Sequence, residues 1–331
     1  MKLKHLTLIL LAAISSTIQA DDVNRQQRLK EEGEKILENC KRIAAQFYTL
    51  EEGEEIKEMT QAILDSQDTA QSLKQQIIAS GRRFFLFQYP SDGFQVKGYI
   101  SFVPNASENP LLIFLRGGNR IFGLTHPAIG FTCMRDYTIL TTTYRGGVSE
   151  GTDQFGGDEV NDVQNLLEYF PILTEKLGLL LDPSKVFMLG GSRGGMEMFL
   201  ALGRSPYLQS QITKAASLSG VLDIREWMLY YVDIRNMFIK DFGLIPDQNE
   251  ESWIALRDPL NVVHMLKKDL PFLILQGTND DRVNLIQGYH MVEKLQENGN
   301  SVDYIEIPGG EHCLRNCSDR VDLIADWFEK E

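Results

Sequence analysis

The chain has 331 residues, of which 43% are hydrophobic and 24% are charged, and its formal net charge is −13. These values are ordinary for a globular protein, and the length allows one α/β domain with an appendage. The acidic balance repels phosphate backbones and anionic lipid headgroups, so it argues against nucleic acid and membrane surfaces as partners. Nothing in the sequence indicates an oligomeric state.

Residues 1–20 have the composition of a secretory signal peptide. A basic start with Lys2 and Lys4 precedes a short apolar block from Leu6 to Ile14, and small residues lead to a cleavage point after Ala20. The block is too short for a comfortable membrane-spanning helix, although an uncleaved anchor is the alternative. We therefore expect an exported protein, periplasmic or secreted, with no stable membrane insertion after cleavage.

Residues 21–80 predict a helical N-terminal extension. Apolar residues recur there at helical spacing among many polar ones, so two amphipathic helices are expected, over 29–47 and 54–78. This extension is expected to pack on a larger body that begins at residue 81.

Residues 81–331 change to short apolar strands that alternate with helical segments. An antiparallel hairpin is predicted first, with strands at 84–87 and 94–100 on either side of a turn. Six further apolar runs follow, at 111–115, 137–143, 185–189, 215–218, 271–275 and 302–307. Buried strands separated by helices imply the α/β class, with an eight-stranded, mostly parallel sheet flanked by helices.

Residues 221–268 interrupt this alternation before the seventh strand. The segment is expected to be helical and to lie beside the strand ends where ligands bind, as a lid-like insertion. Its aromatic residues Trp227, Tyr230 and Tyr231 predict an apolar substrate pocket. The alternative is an ordinary packed excursion of the chain.

The segment Gly190-Gly191-Ser192-Arg193-Gly194 stands between a predicted strand and a predicted helix. A Gly-x-Ser-x-Gly in that position is typical of the nucleophile elbow of an α/β-hydrolase. The turn is so tight that its flanking positions favour glycine. Ser192 is therefore the candidate nucleophile, and a glycine-rich turn without chemistry is the alternative.

A serine nucleophile needs a base that a third group aligns. In this fold these partners follow the serine in the order Asp, His. Asp280 follows the seventh predicted strand and His312 follows the eighth. We predict that Asp280 orients His312, which acts as general acid and base, and Asp281 is the rival carboxylate.

The oxyanion hole is predicted from two backbone segments. One donor is the backbone N–H of Arg193, directly after the nucleophile, and the other comes from the loop after the third strand, which contains Arg116, Gly117 and Gly118. Glycines in that loop allow the backbone to approach a developing oxyanion.

Several segments together give the chain a family resemblance. They are 91–93 with 96–99, 144–147, 156–163, 190–195 and 276–283. Over about residues 83–331 the chain resembles the prolyl oligopeptidase family of serine peptidases, within the α/β-hydrolase superfamily. The resemblance implies hydrolysis of peptide or ester bonds through an acyl-enzyme, without a metal or an organic cofactor.

The chain also departs from that family. Family members usually carry a large β-propeller, whereas here a short segment that looks helical precedes the body. Arg116 stands where relatives usually have His or Tyr, and two roles follow for its side chain: it adds positive charge near the oxyanion or pairs with a substrate carboxylate. The alternative is a structural salt bridge. Asp158 and Asp162 are expected to brace the segment 144–145.

The four cysteines leave two alternatives open. Cys40, Cys133, Cys313 and Cys317 permit two disulfides in an exported chain, and a Cys313–Cys317 bond would brace the loop that carries His312. The other alternative is buried free thiols. The spacing fits no zinc site.

The sequence thus predicts an exported serine hydrolase of the peptidase type that acts on short peptides or acyl-aminoacyl bonds. A carboxylesterase with the same three residues is the alternative within catalysis. A non-catalytic binding protein on this fold is the alternative outside it.

Overall fold

The computed structural model describes residues 31–104, 109–128, 134 and 137–330. The predicted signal peptide, its cleavage point and Cys133 lie outside the described residues. The helices are α1 (31–47), α2 (Thr60–Asp65), α3 (Gln71–Ser80), α4 (Asn161–Leu177), α5 (Arg193–Arg204), α6 (Pro206–Gln211), α7 (Ile224–Tyr230), α8 (Val232–Asp241), α9 (Glu250–Arg257), α10 (Leu285–Asn298) and α11 (Arg320–Glu329). The strands are β1 (Ile56–Glu58), β2 (Arg83–Ser91), β3 (Phe94–Phe102), β4 (Asn109–Leu115), β5 (Thr138–Thr142), β6 (Leu181–Gly191), β7 (Lys214–Leu218), β8 (Phe272–Gly277) and β9 (Val302–Ile307).

The nine strands form one sheet in the order β1-β2-β3-β5-β4-β6-β7-β8-β9. The pairs β1–β2, β2–β3 and β3–β5 are antiparallel, and every pair from β5 to β9 is parallel. The predicted α/β class and the mostly parallel sheet are confirmed. The carboxyl ends of β4, β6, β7, β8 and β9 meet at one edge, where loops collect functional residues.

Both faces of the parallel strands are covered, which explains their nearly continuous apolar sequences. On one face Phe199 of α5 stacks on Phe272 of β8, with ring centroids 5.2 Å apart. On the other face Phe328 of α11 stacks on Phe187 of β6 at 4.6 Å. This two-sided packing fixes the strand ends that carry the site.

The N-terminal extension differs from its prediction in one part. Helix α1 lies where the first helix was expected, but the single helix expected over 54–78 is wrong: strand β1 and the short helices α2 and α3 stand there. Residues Ile56 to Glu58 pair with Phe85 to Phe87 at the edge of the sheet, which adds a ninth strand to the eight expected. Pairing with an exposed sheet edge overrides a weak helical pattern.

Residues 221–268 contain α7, α8, α9 and a 3-10 helix at Pro259–Met265, as the sequence predicted for a helical insertion. Its buried aromatic residues belong to the main core, and three of them, Trp227, Phe238 and Phe242, pack against Phe155. Within the described part of the chain, none of the helices combines the length and apolar character that crossing a bilayer requires.

Candidate active site

Ser192 occupies a strained turn between β6 and α5. Its backbone has φ 55° and ψ −126°, a conformation that a residue with a side chain rarely adopts. The glycines around it are required by space: a Cβ on Gly190 would lie 2.3 Å from the carbonyl oxygen of Gly194, and a Cβ on Gly194 would lie 2.0 Å from that of Leu115. The Ser192 N–H donates to Leu218 at 3.0 Å, which ties the turn to β7.

Three predicted site residues converge at the carboxyl edge of the sheet. The Nε2 atom of His312 lies 3.0 Å from the Oγ of Ser192. The Nδ1 atom of the same ring lies 3.0 Å from Oδ1 and 2.9 Å from Oδ2 of Asp280. A hydroxyl, an imidazole and a carboxylate in this sequence of contacts can pass a proton from the serine to the ring.

Asp280 is held as a carboxylate. Its side chain is only 1% exposed, and Oδ1 accepts the backbone N–H groups of Arg282 and Val283, each at 2.9 Å. Burial by itself raises the pKa of Asp280, but the hydrogen bond from His312 and these backbone donors outweigh burial and lower the pKa. Asp280 therefore stays negative beside the ring.

His312 has a pKa above its ordinary value. Burial by itself lowers that pKa, but the adjacent Cys313 sulfur and then the Asp280 carboxylate outweigh burial and raise it. Both Cys313 and Cys317 are free thiols in the structure, as is Cys40, so the disulfide alternative is not seen among the described cysteines.

The glycine-rich loop after β4 approaches Ser192 directly. A Cβ on Gly117 would lie 2.8 Å from the Cβ and 3.3 Å from the Oγ of Ser192. Gly118 has φ +70°, and a Cβ there would lie 2.2 Å from the carbonyl oxygen of Phe122. Arg193 is the first residue of α5, where a backbone N–H has no acceptor within the helix. The backbone at Gly117 therefore lies directly beside the Ser192 side chain.

The Arg116 side chain fastens this loop to the protein. It is 3% exposed, and its guanidinium donates to the carbonyl oxygens of Gly117 (2.9 Å), Arg120 (2.8 Å), Phe122 (3.2 Å) and Thr143 (2.7 Å). A structural salt bridge to Arg116 is not seen within the described residues. The hypothesis of pairing with a substrate carboxylate has no support here, because the group is buried and both of its Nη atoms donate to backbone carbonyls. A contribution of its charge to the oxyanion stays a prediction.

The three aromatic residues predicted to form a pocket differ in their burial. Trp227 is 7% exposed and Tyr231 is 4% exposed, so both belong to the core, whereas Tyr230 is 62% exposed. Trp227 packs against Phe155 and Phe238. A substrate pocket lined jointly by these side chains is therefore not what the structure presents.

Asp162 braces the segment after β5, as the sequence predicted, but Asp158 does not. Oδ2 of Asp162 accepts the backbone N–H of Arg145 at 2.7 Å, and Oδ1 accepts its guanidinium at 2.6 Å. Asp158 instead accepts the side-chain amide of Gln154 at 3.1 Å on the surface. Asp158 begins the 3-10 turn at Asp158–Val160, whereas Asp162 is buried in the first turn of α4.

A shallow cavity of about 490 Å³ lies beside the loop that carries His312. It is lined by Glu32, Lys35, Ile36, Glu311, Arg315 and Asn316. Glu32 also pairs with Arg282, with 3.2 Å between Oε2 and Nη2. The start of α1 therefore forms part of the rim of the site.

Sequence reasoning missed the acidic residues around the Arg193 side chain. Asp153, Glu159 and Glu197 are buried against its guanidinium. Asp153 and Glu159 lie 40 and 34 residues before Arg193, so no local pattern pairs them with it. Glu197 is the exception, because it stands four residues after Arg193 on a helix, the usual spacing of an ion pair.

Comparison with known proteins shows the family of the chain. Residues 128–331, more than half of the chain, match the sequence model of the prolyl oligopeptidase family. The chain belongs to the prolyl oligopeptidase family. The region of the match contains all three converging residues and the insertion.

Relatives within the prolyl oligopeptidase family are larger than this chain. It is 27% identical over 249 residues to the acylamino-acid-releasing enzyme of Arabidopsis thaliana, covering 68% of this chain and 31% of that protein. It is 26% identical over 245 residues to acylamino-acid-releasing enzyme 1 of Oryza sativa subsp. japonica, covering 68% and 30%. The chain thus spans about three tenths of the length of these relatives.

Solved structures support the fold. A Pyrococcus horikoshii acylaminoacyl peptidase superposes with a TM-score of 0.61 at 19% identity, covering 74% of this chain and 41% of that one. A puromycin-hydrolyzing peptidase of Mycobacterium tuberculosis gives a TM-score of 0.59 at 19% identity, covering 77% and 40%. At such identity the likeness establishes the α/β-hydrolase architecture alone.

Proposed function

We propose that this member of the prolyl oligopeptidase family is a serine peptidase that cleaves peptide or acyl-aminoacyl bonds of short substrates. Ser192 is the nucleophile, His312 the general acid and base, and Asp280 the residue that orients the ring. The observation that carries the proposal is the continuous set of contacts from Asp280 through His312 to Ser192, with no distance above 3.0 Å.

The proposed reaction begins when Oγ of Ser192 attacks the substrate carbonyl carbon. Nε2 of His312 accepts the hydroxyl proton, and Asp280 stabilises the imidazolium that results. The carbonyl oxygen becomes negative, and the backbone N–H groups of Arg193 and of the 117–118 loop donate to it. These donors are fixed before substrate arrives, so little reorganisation accompanies the change in charge.

His312 then gives the same proton to the leaving amine, which departs and leaves an acyl group on Ser192. A water molecule repeats the sequence: His312 accepts its proton, the hydroxide attacks the acyl carbon, and the proton returns to Ser192 as the carboxylic product leaves. Each proton accepted by the ring is returned, and the chemistry consumes only water.

The names of the relatives support the substrate class, since acylamino-acid-releasing enzymes recur among them. Export through the predicted signal peptide is part of the proposal, so the natural substrates are short peptides outside the cytoplasm.

A fluorophosphonate probe tests the nucleophile, because it labels a serine only when that serine is activated. We expect labelling of the wild type, none of Ser192→Ala, and wild-type labelling of Ser210→Ala, a surface serine. Equal labelling of the wild type and Ser192→Ala would remove Ser192 from the mechanism. Turnover of acylated peptides is then compared with that of p-nitrophenyl esters. Ester hydrolysis without amide hydrolysis would favour the carboxylesterase alternative.

A further inference from the structure

The Arg193 side chain is a buried cation beside Ser192 that pairs with three acids. It is 1% exposed, and its three nitrogens each meet a carboxylate that is fully buried: Nε with Glu197 at 2.8 Å, Nη1 with Asp153 at 2.7 Å and Nη2 with Glu159 at 2.6 Å. The rings of Phe155 and Tyr144 lie 4.4 Å and 5.4 Å from its guanidinium carbon. The direction of this side chain is therefore fixed completely.

Arg193 also reaches across to the loop after β4. Its Nη1 donates to the carbonyl oxygen of Gly118 at 3.0 Å. The backbone N–H of Arg193 is one proposed oxyanion donor, and the 117–118 segment supplies the other. A single residue thus provides one donor through its main chain and holds the second donor's loop through its side chain.

Asp153 closes this connection from the other side. Oδ2 of Asp153 accepts from both Nη1 of Arg193 and the backbone N–H of Arg120, each at 2.7 Å. Oδ1 accepts the backbone N–H of Phe155 at 2.9 Å. The carboxylate therefore joins the nucleophile elbow to the same loop two residues beyond Gly118.

The remaining acids of the cluster do not touch that loop. Glu159 accepts the backbone N–H groups of Gln154 and Gly156. Burial, the larger effect, raises the pKa of Glu197 to about 8 although Arg193 opposes it, which favours the neutral form of Glu197. At Asp153 burial also favours the neutral acid, but Arg193 outweighs burial and lowers the pKa. Asp153 is thus the acid that stays charged and connects the two segments.

We propose that the Arg193 side chain and Asp153 are positioning residues that set the spacing between the two oxyanion donors. The proposal rests on the proposed function. It differs from a purely structural role, since a fixed spacing matters only when charge develops on the substrate oxygen. A loss of this spacing is therefore expected to lower kcat and leave KM nearly unchanged.

Asp153→Asn tests the connection because it keeps the size of the side chain and removes its charge. Glu159→Gln is the matched control: it removes an equally buried partner of the same guanidinium, one that has no contact with the loop. We expect Asp153→Asn to lower kcat about tenfold to a hundredfold, up to the loss seen when one oxyanion donor is removed. The loss for Glu159→Gln is expected to be at least tenfold smaller.

Two further readouts separate positioning from stability. The second-order rate of labelling by the fluorophosphonate probe is expected to fall with kcat in Asp153→Asn, because the phosphoryl oxygen of the probe uses the same donors. Thermal unfolding of both variants shows how much each loses in stability. Equal kcat for Asp153→Asn and Glu159→Gln, at comparable stability, would overturn the proposal.

Arg193→Lys provides a second variant if Asp153→Asn does not fold. A lysine keeps the positive charge but lacks the planar fork that reaches Asp153 and Gly118 together. It is expected to give the same selective loss of kcat, and wild-type kcat in Arg193→Lys would also overturn the proposal. Either failure leaves labelling of Ser192 in the wild type intact, so it is distinguishable from failure of the proposed function, in which the wild type is not labelled.

Discussion

The indole N–H of Trp227 donates to the carbonyl oxygen of Arg282 at 2.8 Å, and this bond ties the first helix of the insertion to the loop that carries Asp280. The backbone N–H of Arg282 in turn donates to Oδ1 of Asp280. Trp227, predicted from the sequence as part of a pocket, is instead a buried link between the insertion and the acid of the site.

Replacement of Trp227 by Phe tests this link. The variant keeps most of the apolar volume but loses the N–H, so one partly buried carbonyl is left without its donor at a cost of about 1 kcal/mol. We expect a several-fold loss of kcat, because the Asp280 loop is less well fixed. Trp253→Phe is the matched control: its indole N–H donates at 2.8 Å to Phe242, away from that loop. Equal kcat values for the two variants would contradict the assignment.

Replacement of Asp280 by Asn is expected to lower kcat by about 10⁴-fold while the fold is retained. An amide in that place no longer stabilises the imidazolium and favours the wrong ring tautomer. Asp281→Asn, the rival acid, is expected to keep kcat within a few-fold of the wild type. Steady-state turnover is measured for both variants, and circular dichroism checks that each is folded. A larger loss of kcat for Asp281→Asn than for Asp280→Asn would reverse the assignment.

The pH dependence of kcat/KM reports the ring of His312. The imidazole must be neutral to accept the Ser192 proton, so activity rises with pH through the pKa of His312. Because that pKa is raised, we expect the acidic limb to have its midpoint above about 6.5, the ordinary value for histidine.

Cys313→Ala is expected to move this midpoint to lower pH, because the Cys313 sulfur contributes to raising the pKa of His312. Cys317→Ala is the control, since Cys317 is also a free thiol but is not among the main causes of the raised pKa of His312. A pH profile recorded from about pH 4 to 10, which brackets the ordinary histidine pKa of about 6.5, measures both variants. An unchanged midpoint in Cys313→Ala would remove the sulfur as a cause.

The parts of the molecule that could be predicted are those with strong local signals. Ser192, Asp280 and His312 each follow a short apolar strand, and parallel strands bring their carboxyl ends together whatever the details of packing. The glycines at 117 and 118 could be predicted for a different reason. A backbone that approaches its neighbour closely leaves no room for a side chain.

The parts that were missed depend on contacts between distant segments. The residues around Ile56 have a helical pattern in the sequence, but in the structure they form a strand that pairs with β2. This pairing depends on a sheet edge that exists only in the folded protein. From the sequence alone, the aromatic Trp227 is interpreted as a pocket residue. Its hydrogen bond to the carbonyl oxygen of Arg282 is visible only in the folded structure. The acids around Arg193 are ordinary charged residues in the sequence, and only their burial distinguishes them.

Asp162→Asn is expected to destabilise the protein by about 3 kcal/mol, the lower end for a broken buried pair, because the buried Arg145 guanidinium then keeps only Asp92, whose side chain is 40% exposed, as an ionic partner. Asp158→Asn, on the surface of the same turn, is expected to change the free energy of unfolding by less than about 0.5 kcal/mol. Denaturant unfolding of both variants measures the difference. Equal stabilities would mean that the pair at Asp162 contributes no more than a surface acid.

Gly117→Ala is expected to reduce activity about 10²-fold or more with a smaller effect on folding. The new methyl group would stand 2.8 Å from the Cβ of Ser192, so either the loop or the nucleophile must shift, and a displacement of about 1 Å at the reacting atoms costs about that factor.

Gly33→Ala is the matched control, because a Cβ at Gly33 meets nothing within 4 Å and lies in helix α1. That substitution is expected to keep full activity and to stabilise the protein by about 0.5–1 kcal/mol. Turnover and thermal unfolding are measured on both. If Gly117→Ala keeps wild-type turnover, the 116–119 loop is not adjacent to the reacting carbonyl and the second oxyanion donor must come from elsewhere.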